Sequence, residues 1–492
     1  MNIHTCQVMR RAEQELLSLG IMDSEELMDT AITECVEQLH LDPEFHDTVR
    51  RFERVIVYAG KGKNAGDAIG IALALGYSTI TLRSTVPVRQ MARETRTQLM
   101  STDEYGVIHE EDTPFVPSDG ALIIDGLLGS GSHGPLKAEY AAMVKEINTL
   151  RSSHHNCRVL AVDIPTGLDA DCGPTGGPAV QADATVAIGC VKPGMVADGA
   201  EDYVGRIICA PLEDVELPES TAEVIDANIL ELLPHRRYSG YKNQMGRVCI
   251  IAGSPGYTGA AELCAGAAVA AGAGLVELYC LPSTYPILAA RVPAEVIVRQ
   301  VNNYAEVPAE QADTLVIGPG LGTPDAANTE ALRALVENPP CLLLLDADGL
   351  NLAAAHGWSI SPRTILTPHP GEMRRLFPQA AQLSRAEAAA AFVREHPCTL
   401  LLKGARTLVT DGQKTRYNTT GGPHMANGGQ GDVLSGVVAA LAAQGVPAMD
   451  AASLGAYCCG RAADLAMRVY LSPLAVSATR IFPYLTAREL PY

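Results

Sequence analysis

Residues 418–436 read NTTGGPHMANGGQGDVLSG, and the reading of the back half of the chain turns on them. Gly428, Gly429 and Gly431 stand directly ahead of an apolar, helix-compatible run, with one acid, Asp432, at the junction. Glycine permits tight turns and lets a backbone come close to a ligand. A helix opening near Gly431 would point unpaired N–H groups at the preceding loop, a ready seat for phosphate or a transient anion. An acid beside such a seat suits a base acting on a hydroxyl. The alternative is a plain glycine-rich loop with Asp432 as the helix cap.

Upstream of this stretch the chain repeats one rhythm. RVCIIAGSPGYTG (247–259), TLVIGPGLG (314–322), LLLLDADGL (342–350), TILTPHPGEMR (364–374) and TLLLKGARTLVT (399–410) each run from a short apolar segment into a turn. Ala260 to Ala273 reads as a small-residue helix, and Leu275 to Cys280 as the next strand. Strand, turn and helix in alternation predict a largely parallel sheet covered by helices. His369, between two prolines, cannot sit mid-helix. Glu372 either orients magnesium waters or caps a helix begun at Gly371.

The front half shows the same class of pattern. Two helices are expected, one stopped at Gly20 and one from about Ser24 through Leu39. RVIVYA (54–59) then runs into GKGKNAGDAIGIALAL (60–75), a strand, glycine-rich turn and helix. That geometry places a phosphate on a helix N-terminus, although the turn is neither a Walker A motif nor GxGxxG. ALIIDGLLGSGSHG (121–134) and LAVDIPTG (160–167) put Asp125 and Asp163 at strand ends, where open α/β sheets bind ligands. The two acids either share a metal or proton-transfer site or cap their loops. The acidic, proline-containing stretch after Glu213 reads as a connection, giving domains 1–220 and 221–492. HRRYSGYKNQMGR (235–247) adds positive charge at the entry to the second, either an anion seat or an ordinary basic loop.

Composition narrows the function classes. With 492 residues, more than one domain is expected. A formal net charge of −19 opposes nonspecific nucleic-acid binding and anionic membrane surfaces, leaving small molecules as the expected partners. The 13 cysteines form no CxxC pair and no zinc spacing, which fits a reducing cytosol, with Cys458 and Cys459 as core thiols on a helix. MNIHTCQVMRRAEQE is polar and charged too early for a cleavable signal. Ala260 to Leu281 contains Glu262 and Glu277, so it reads as a buried helix followed by a strand rather than a membrane span.

The glycine motif resembles the GGxGDxLxG signature of the ADP/ATP-dependent NAD(P)H-hydrate dehydratases, members of the ribokinase-like superfamily. GSPGYTGA, GPGLG, DADGLN, TPHPGE, KGARTLV and GGQGD follow in that family's order across Tyr238 to Leu485. Gly422 and His424 depart from the usual GNPGMA. The front half resembles the family's usual fusion partner, the NAD(P)H-hydrate epimerase domain. VDIPTGLDAD (162–171) is similar to its DIPSGLDAD signature, and GCVKPGM (189–195) to its KPG turn. The 60–75 turn is similar to its GxGNNGGDG loop, with Lys63 in place of Asn and Ala65 and Ala68 in place of Gly. Added Cβ atoms there are expected to narrow the approach to the backbone.

The resemblance implies a Rossmann-like αβα epimerase domain and a ribokinase-like αβα dehydratase domain. It implies a repair enzyme for nicotinamide cofactors hydrated at C6 of the reduced ring. The front domain would interconvert R and S hydrates, and the back domain would return the S hydrate to NAD(P)H with ADP as phosphoryl donor. In the front half, Lys63, Asn64, Ala65, Gly66 and Asp67, with Gly129, Ser130, Gly131, Ser132, His133, Gly134 and Pro135, would bind the hydrate. Asp163 and Lys192 would be catalytic, and Asn64, Asp125 and Thr166 would hold K⁺, an ion that composition alone does not select. In the back half, Lys403, Gly404, Ala405, Arg406, Thr407 and Gly431 would line the ADP site, with Mg²⁺ at its phosphates. Ala260, Gly322, His369 and Asp432 would contact the hydrate, Asp432 as general base and the Gly428–Gly429 loop at the transferring phosphoryl group. The rival implied by the same fold is a ribokinase-like small-molecule kinase with a nonenzymatic nucleotide-binding module in front. A homo-oligomer in the cytoplasm is expected.

Overall fold

The apolar runs quoted above are short buried strands in the computed structural model, which describes residues 1–42, 45–46, 52, 54–77, 79–105, 107–110, 116, 120–154 and 156–487. The chain divides into two compact units, Met1–Glu223 and Val224–Tyr492.

The first unit is built on seven strands: β1 Val55–Ala59, β2 Thr79–Ser84, β3 Val107–Glu110, β4 Leu122–Gly126, β5 Arg158–Val162, β6 Ala184–Ile188 and β7 Arg206–Ala210. All pairs are parallel, in the order β3-β2-β1-β4-β5-β6-β7. Every residue of β1 and β4 is buried, as expected for strands covered on both faces. The order reverses between β1 and β4, so the segments leaving their carboxyl ends diverge and open a crevice. Helices Cys6–Ser18 and Ser24–Leu41 precede β1. Cys6–Ser18 opens on Thr5, whose hydroxyl accepts from the Val8 N–H. Ser24–Leu41 is capped by Asp23, in a reciprocal capping box with Glu26.

The helix after β1, Lys63–Ala74, explains the alanines that replace glycine. Ala65, Ala68, Ile69 and Ala72 are buried in the core. A Cβ built on Gly126 of β4 would lie 2.4 Å from the Ala68 Cβ. Ala68 therefore fills the space above a glycine in the neighbouring strand. Lys63, Asn64 and Asp67, on another helical face, border a cavity instead.

A second sheet has ten strands in the order β11-β10-β9-β12-β13-β14-β15-β16-β17-β8, and β8 falls at the boundary of the units. Its strands are β8 Ala222–Val224, β9 Arg247–Ile251, β10 Leu275–Cys280, β11 Val296–Gln300, β12 Thr314–Ile317, β13 Leu342–Leu345, β14 Thr364–Leu366, β15 Thr399–Leu402, β16 Thr407–Thr410 and β17 Thr415–Asn418. From β11 to β15 the pairing is parallel, with a second reversal of order between β9 and β12. β15, β16 and β17 are antiparallel, a departure from the expected rhythm. Short turns join them, Lys403–Arg406 and Asp411–Lys414, too short for a crossover helix.

Helix Thr258–Ala270 and helix Gln430–Ala443 belong to one core. A Cβ on Gly436 would lie 2.1 Å from the Cys264 carbonyl oxygen, so the small residues there permit a close backbone approach. Cys458 and Cys459 are buried on helix Ala448–Tyr470. Among the described residues no helix is long and apolar enough to cross a membrane.

Because Gly436 faces a backbone atom, its replacement cannot be absorbed by a rotamer change. Gly436→Val is expected to destabilise the second unit by about 1–3 kcal/mol or more, the cost typical of overpacking. Denaturant unfolding checks this, and an unchanged midpoint would contradict the packing.

Candidate active sites

In the first unit a cavity of about 510 Å³ opens at the carboxyl ends of the strands. The Cys6–Ser18 helix supplies one wall through Met9, Arg10, Glu13 and Leu17, and Lys61–Asn64 and Leu127–Ser132 supply others. Asp163 and Lys192 both line it. Asp163 directly follows β5 and is held at φ 67°, a conformation costly for a side-chain-bearing residue and frequent at functional sites. Its N–H donates to the Val186 carbonyl at 2.8 Å. One carboxylate oxygen pairs with the Lys192 ammonium, and the other accepts from the Ser130 N–H at 2.8 Å. Burial by itself would raise the Asp163 pKa, but Lys192 and the Ser130 N–H bring it below the ordinary value. Lys192, fully buried, also donates to the Ile188 carbonyl at 2.9 Å. Burial opposes its charge, and the Asp163 carboxylate raises its pKa above the ordinary lysine value.

Asp125 is a different buried acid. It accepts from the Thr166 N–H and hydroxyl, both at 2.8 Å, and from the Leu127 N–H at 3.2 Å. Burial pushes its pKa up to about 6 against those three donors. The Asn64 side-chain amide nitrogen is buried without a hydrogen-bond partner. A Cβ on Gly129 would lie 3.2 Å from Asn64 Oδ1 and 3.0 Å from Asp163 Oδ2, so Gly129 brings these side chains to one place. Among the described residues no three His, Cys, Asp or Glu side chains group around a possible metal position. The oxygens of Asn64, Asp125 and Thr166 are hard donors, and among the described residues Asp125 is a buried acid with no cationic partner. That donor set fits a hard cation better than a soft transition metal.

The remaining front-half candidates divide. Ser130, Gly131 and Ser132 line the main cavity, and Ser132 and Gly134 a smaller recess beside Thr166. His133 meets Arg10 at 3.2 Å. Pro135 is exposed and borders neither space. Ala65 and Gly66 do not line the cavity either. Ala65 is in the core, and a Cβ on Gly66 would meet Met28 and Thr95 at 2.8–3.1 Å. The expected narrowing of the approach by Ala65 and Ala68 is thereby corrected, because both face the core. Lys63 is half-exposed at the cavity mouth and pairs with Glu94 at 3.1 Å. Glu13 and Glu94 were not singled out in the sequence. Glu13 sits one turn from both Met9 and Leu17, a charge on an apolar stripe, and that position was the available signal.

In the second unit, the helix Gln430–Ala443 opens after Gly429, which is left-handed at φ 93°, and no side chain caps it. Asp432 is therefore the third helical residue, not the cap. The first-turn N–H groups have no intrahelical acceptor. A Cβ on Gly431 would lie 3.4 Å from Lys403 Nζ, so the lysine stands beside this helix end. Lys403 donates to Asp346 at 2.8 Å and lies 3.9 Å from Glu372. Ser435 donates to the other Asp346 oxygen at 2.8 Å. Burial opposes the charge of Lys403, and Asp346 and Glu372 raise its pKa. Burial, with the charges of Asp346 and Asp348, pushes Asp432 up to about 6, while Lys403 pulls the other way.

His369 is the N-cap of helix Pro370–Leu376, which opens one residue before the expected Gly371. Its Nδ1 accepts from the Gly371 N–H at 2.9 Å, and Glu372 accepts from the His369 N–H at 2.8 Å. The cap is thus one role of Glu372, and proximity to Lys403 another. The Gly322 N–H donates to Asp348 at 2.8 Å, and a Cβ on Gly320 would meet the Ala260 Cβ at 2.9 Å. Ala260 and Gly322 accordingly stand at the β9/β12 reversal. Gly404, Ala405 and Arg406 form the β15–β16 turn and Thr407 opens β16; the Arg385 guanidinium lies against Gly404 and donates to the Arg406 carbonyl. Gly428 has open space where a side chain would go. Asp346 and Ser435 were not among the residues given roles from sequence, although DADG at a strand end had marked the place.

Two αβα units, each placing an acid and a lysine near the carboxyl ends of its sheet, define a two-site α/β enzyme. The family described as YjeF-related protein N-terminus matches residues 24–194, and that described as NAD(P)H-hydrate dehydratase matches 248–486. The chain is 34% identical over 505 residues to the bifunctional NAD(P)H-hydrate repair enzyme of Moorella thermoacetica, covering 94% of this chain and 91% of that one. It is 36% identical over 431 residues to the enzyme of the same name from Methanopyrus kandleri, with 84% of each covered. Among solved structures, the ADP/ATP-dependent NAD(P)H-hydrate dehydratase from Bacillus subtilis, co-crystallised with ATP and Mg²⁺, shares 25% identity at TM-score 0.48, covering 54% of this chain and 96% of that one. The chain belongs to the family of bifunctional NAD(P)H-hydrate repair enzymes.

The charges around Asp432 give a titration that can be observed directly. Its carboxyl resonance is expected to titrate near pH 6, and Lys403→Met is expected to move it higher, since the lysine favours the ionised form. Carbon-detected NMR of the side-chain carboxyls checks both, and a downward move in the variant would contradict the assigned environment.

Proposed function

We propose that the chain repairs nicotinamide cofactors hydrated at C6 of the reduced ring, the first unit interconverting R and S hydrates and the second dehydrating the S form to NAD(P)H. The rival of a small-molecule kinase with an inert front module is disfavoured by the repair-enzyme relatives, which match along nearly the whole chain. The observation that carries the chemistry is Asp432 in the first turn of an uncapped helix, with Lys403 beside it.

At the second site the hydrate's C6 hydroxyl gives its proton to Asp432 as its oxygen attacks the β-phosphorus of ADP, releasing AMP. The N–H groups around Gly429–Gly431, together with Lys403, stabilise charge on the transferring phosphoryl group. Phosphate then leaves C6, pushed by the lone pair of the ring nitrogen, and loss of a C5 proton restores the double bond. Mg²⁺ would be held by the nucleotide phosphates and would supply charge neutralisation there. Asp346 orients Lys403 and Ser435 through its two oxygens. The choice of ADP over ATP rests on the resemblance to fused repair enzymes.

At the first site Asp163, kept ionised by Lys192, is the base for the C6 hydroxyl. Asn64, Asp125 and Thr166 would hold K⁺, which would supply a fixed positive charge to the site. The basic mouth formed by Arg10, Lys61 and Lys63 suits the pyrophosphate of a dinucleotide.

Asp432→Asn is expected to retain nucleotide binding and lose about 10²–10⁴ in hydrate-dependent turnover. The wild-type kcat/KM should fall below about pH 6, because a base raised to that value is protonated there. Near-normal turnover by the variant in a coupled NAD(P)H assay would remove Asp432 from the role. Comparing kcat/KM for the two nucleotides tests the donor, with ADP expected to exceed ATP.

A further inference from the structure

Glu13 is an unusual residue for its position. It lies on the helix face that carries Met9 and Leu17 into the cavity, where an apolar residue is the ordinary occupant. Among the described residues no group donates a hydrogen bond to its carboxyl. A half-buried carboxyl lining the cavity is placed to meet a ligand that enters it. The charged groups facing it are Asp163 and Lys192 at the strand ends, Lys63 and Asp67 on the Lys63–Ala74 helix, and Arg10 on its own helix. Glu13 and Asp163 thus line the same cavity from different elements, the first helix and the β5 end.

We infer that Glu13 is a further catalytic residue of the epimerisation, the general acid that protonates the ring nitrogen while Asp163 takes the hydroxyl proton. This rests on the epimerase reading of the first unit. Inversion at C6, a ring carbon bearing both nitrogen and hydroxyl, by opening and closing the ring needs two proton transfers on opening and their reversal on closing. The hydroxyl proton passes to Asp163, the C6–O bond becomes a carbonyl, and the C6–N1 bond breaks with its electron pair going to nitrogen. That nitrogen takes the proton of Glu13. Rotation about the C5–C6 bond presents the other carbonyl face. The nitrogen then re-adds to C6 and returns its proton to Glu13, and Asp163 returns its own to the oxygen. The balance is inversion alone, with no oxidant, reductant or water consumed. Burial and the Asp163 charge raise the Glu13 pKa, favouring the acid form, while Lys192 favours the ionised form of Asp163. Two acids pushed in opposite directions are suited to opposite roles.

The test uses the full-length chain carrying Asp432→Asn, so that S hydrate accumulates, with isolated R hydrate followed by NMR. Adding Glu13→Gln is expected to lower kcat by about 10²–10⁴ with KM little changed. The parent should lose rate on the alkaline side as Glu13 ionises, and the Gln variant should lack that limb. Glu13→Asp should recover part of the rate. Parental kcat in Glu13→Gln overturns the inference. A lowered kcat with the alkaline limb intact, or no recovery by Glu13→Asp, also overturns it and leaves Glu13 structural. If the parent only matches the enzyme-free rate, or Asp163→Ala changes nothing, the epimerase reading itself fails and takes this inference with it.

Discussion

A parallel sheet whose strand order reverses cannot close over its own carboxyl edge. The connections on either side of the reversal leave in opposite directions, and the space between them belongs to a ligand. Both sheets of this chain obey that constraint, at β1/β4 and at β9/β12. Asp125 stands at the end of a reversal strand, and Asp163 follows the next strand along. Ala260 and Gly322 border the second reversal, while Asp346 follows the neighbouring strand. The helices Lys63–Ala74 and Gln430–Ala443 both open on a glycine with no side-chain cap. Each unit therefore brings free N–H groups and acids near a strand edge.

The acids are not equivalent, and their differences are physical. Burial penalises the charge of Asp125, Asp163 and Asp432 alike, but of these three Asp163 has the directly paired ammonium that reverses the effect. Removing one partner of such a buried pair typically costs about 3–5 kcal/mol, because the remaining charge is stranded. Asp125 is held by hydrogen bonds alone, and Asp432 has a lysine whose ammonium is hydrogen-bonded to Asp346. Backbone strain accompanies these positions. Of the positive-φ residues other than glycine among those described, Asp163 is one of the acids, and Ala347 separates Asp346 from Asp348. Such conformations persist only where the surroundings enforce them.

Close packing of small residues lets the acids and helix ends approach. Gly436 admits the Cys264 carbonyl, and Gly126 admits Ala68. The second contact shows how a residue that departs from a family pattern can be accommodated. Ala65 and Ala68 enlarge the core face of their helix, and Lys63 is paired with Glu94 at the cavity mouth. The departures thus fall outside the cavity lining or at its rim.

The amino-acid sequence by itself determined the strand–turn–helix rhythm, because period and glycine placement are local properties of the chain. It also determined which acids end strands: Asp125, Asp163 and Asp346 each lie at or next to the end of an apolar run. The antiparallel β15–β17 edge was less legible, since short apolar runs look alike whatever their pairing direction. Tertiary structure alone decided that Lys192 meets Asp163, that Lys403 stands beside Gly431, and that Asp432 is a first-turn residue rather than a cap. It alone turned Glu13 into a cavity while turning Ala65 away. Those outcomes depend on which faces of separate elements meet, and on which charges are shut away from water when they do, and neither is encoded within any one segment.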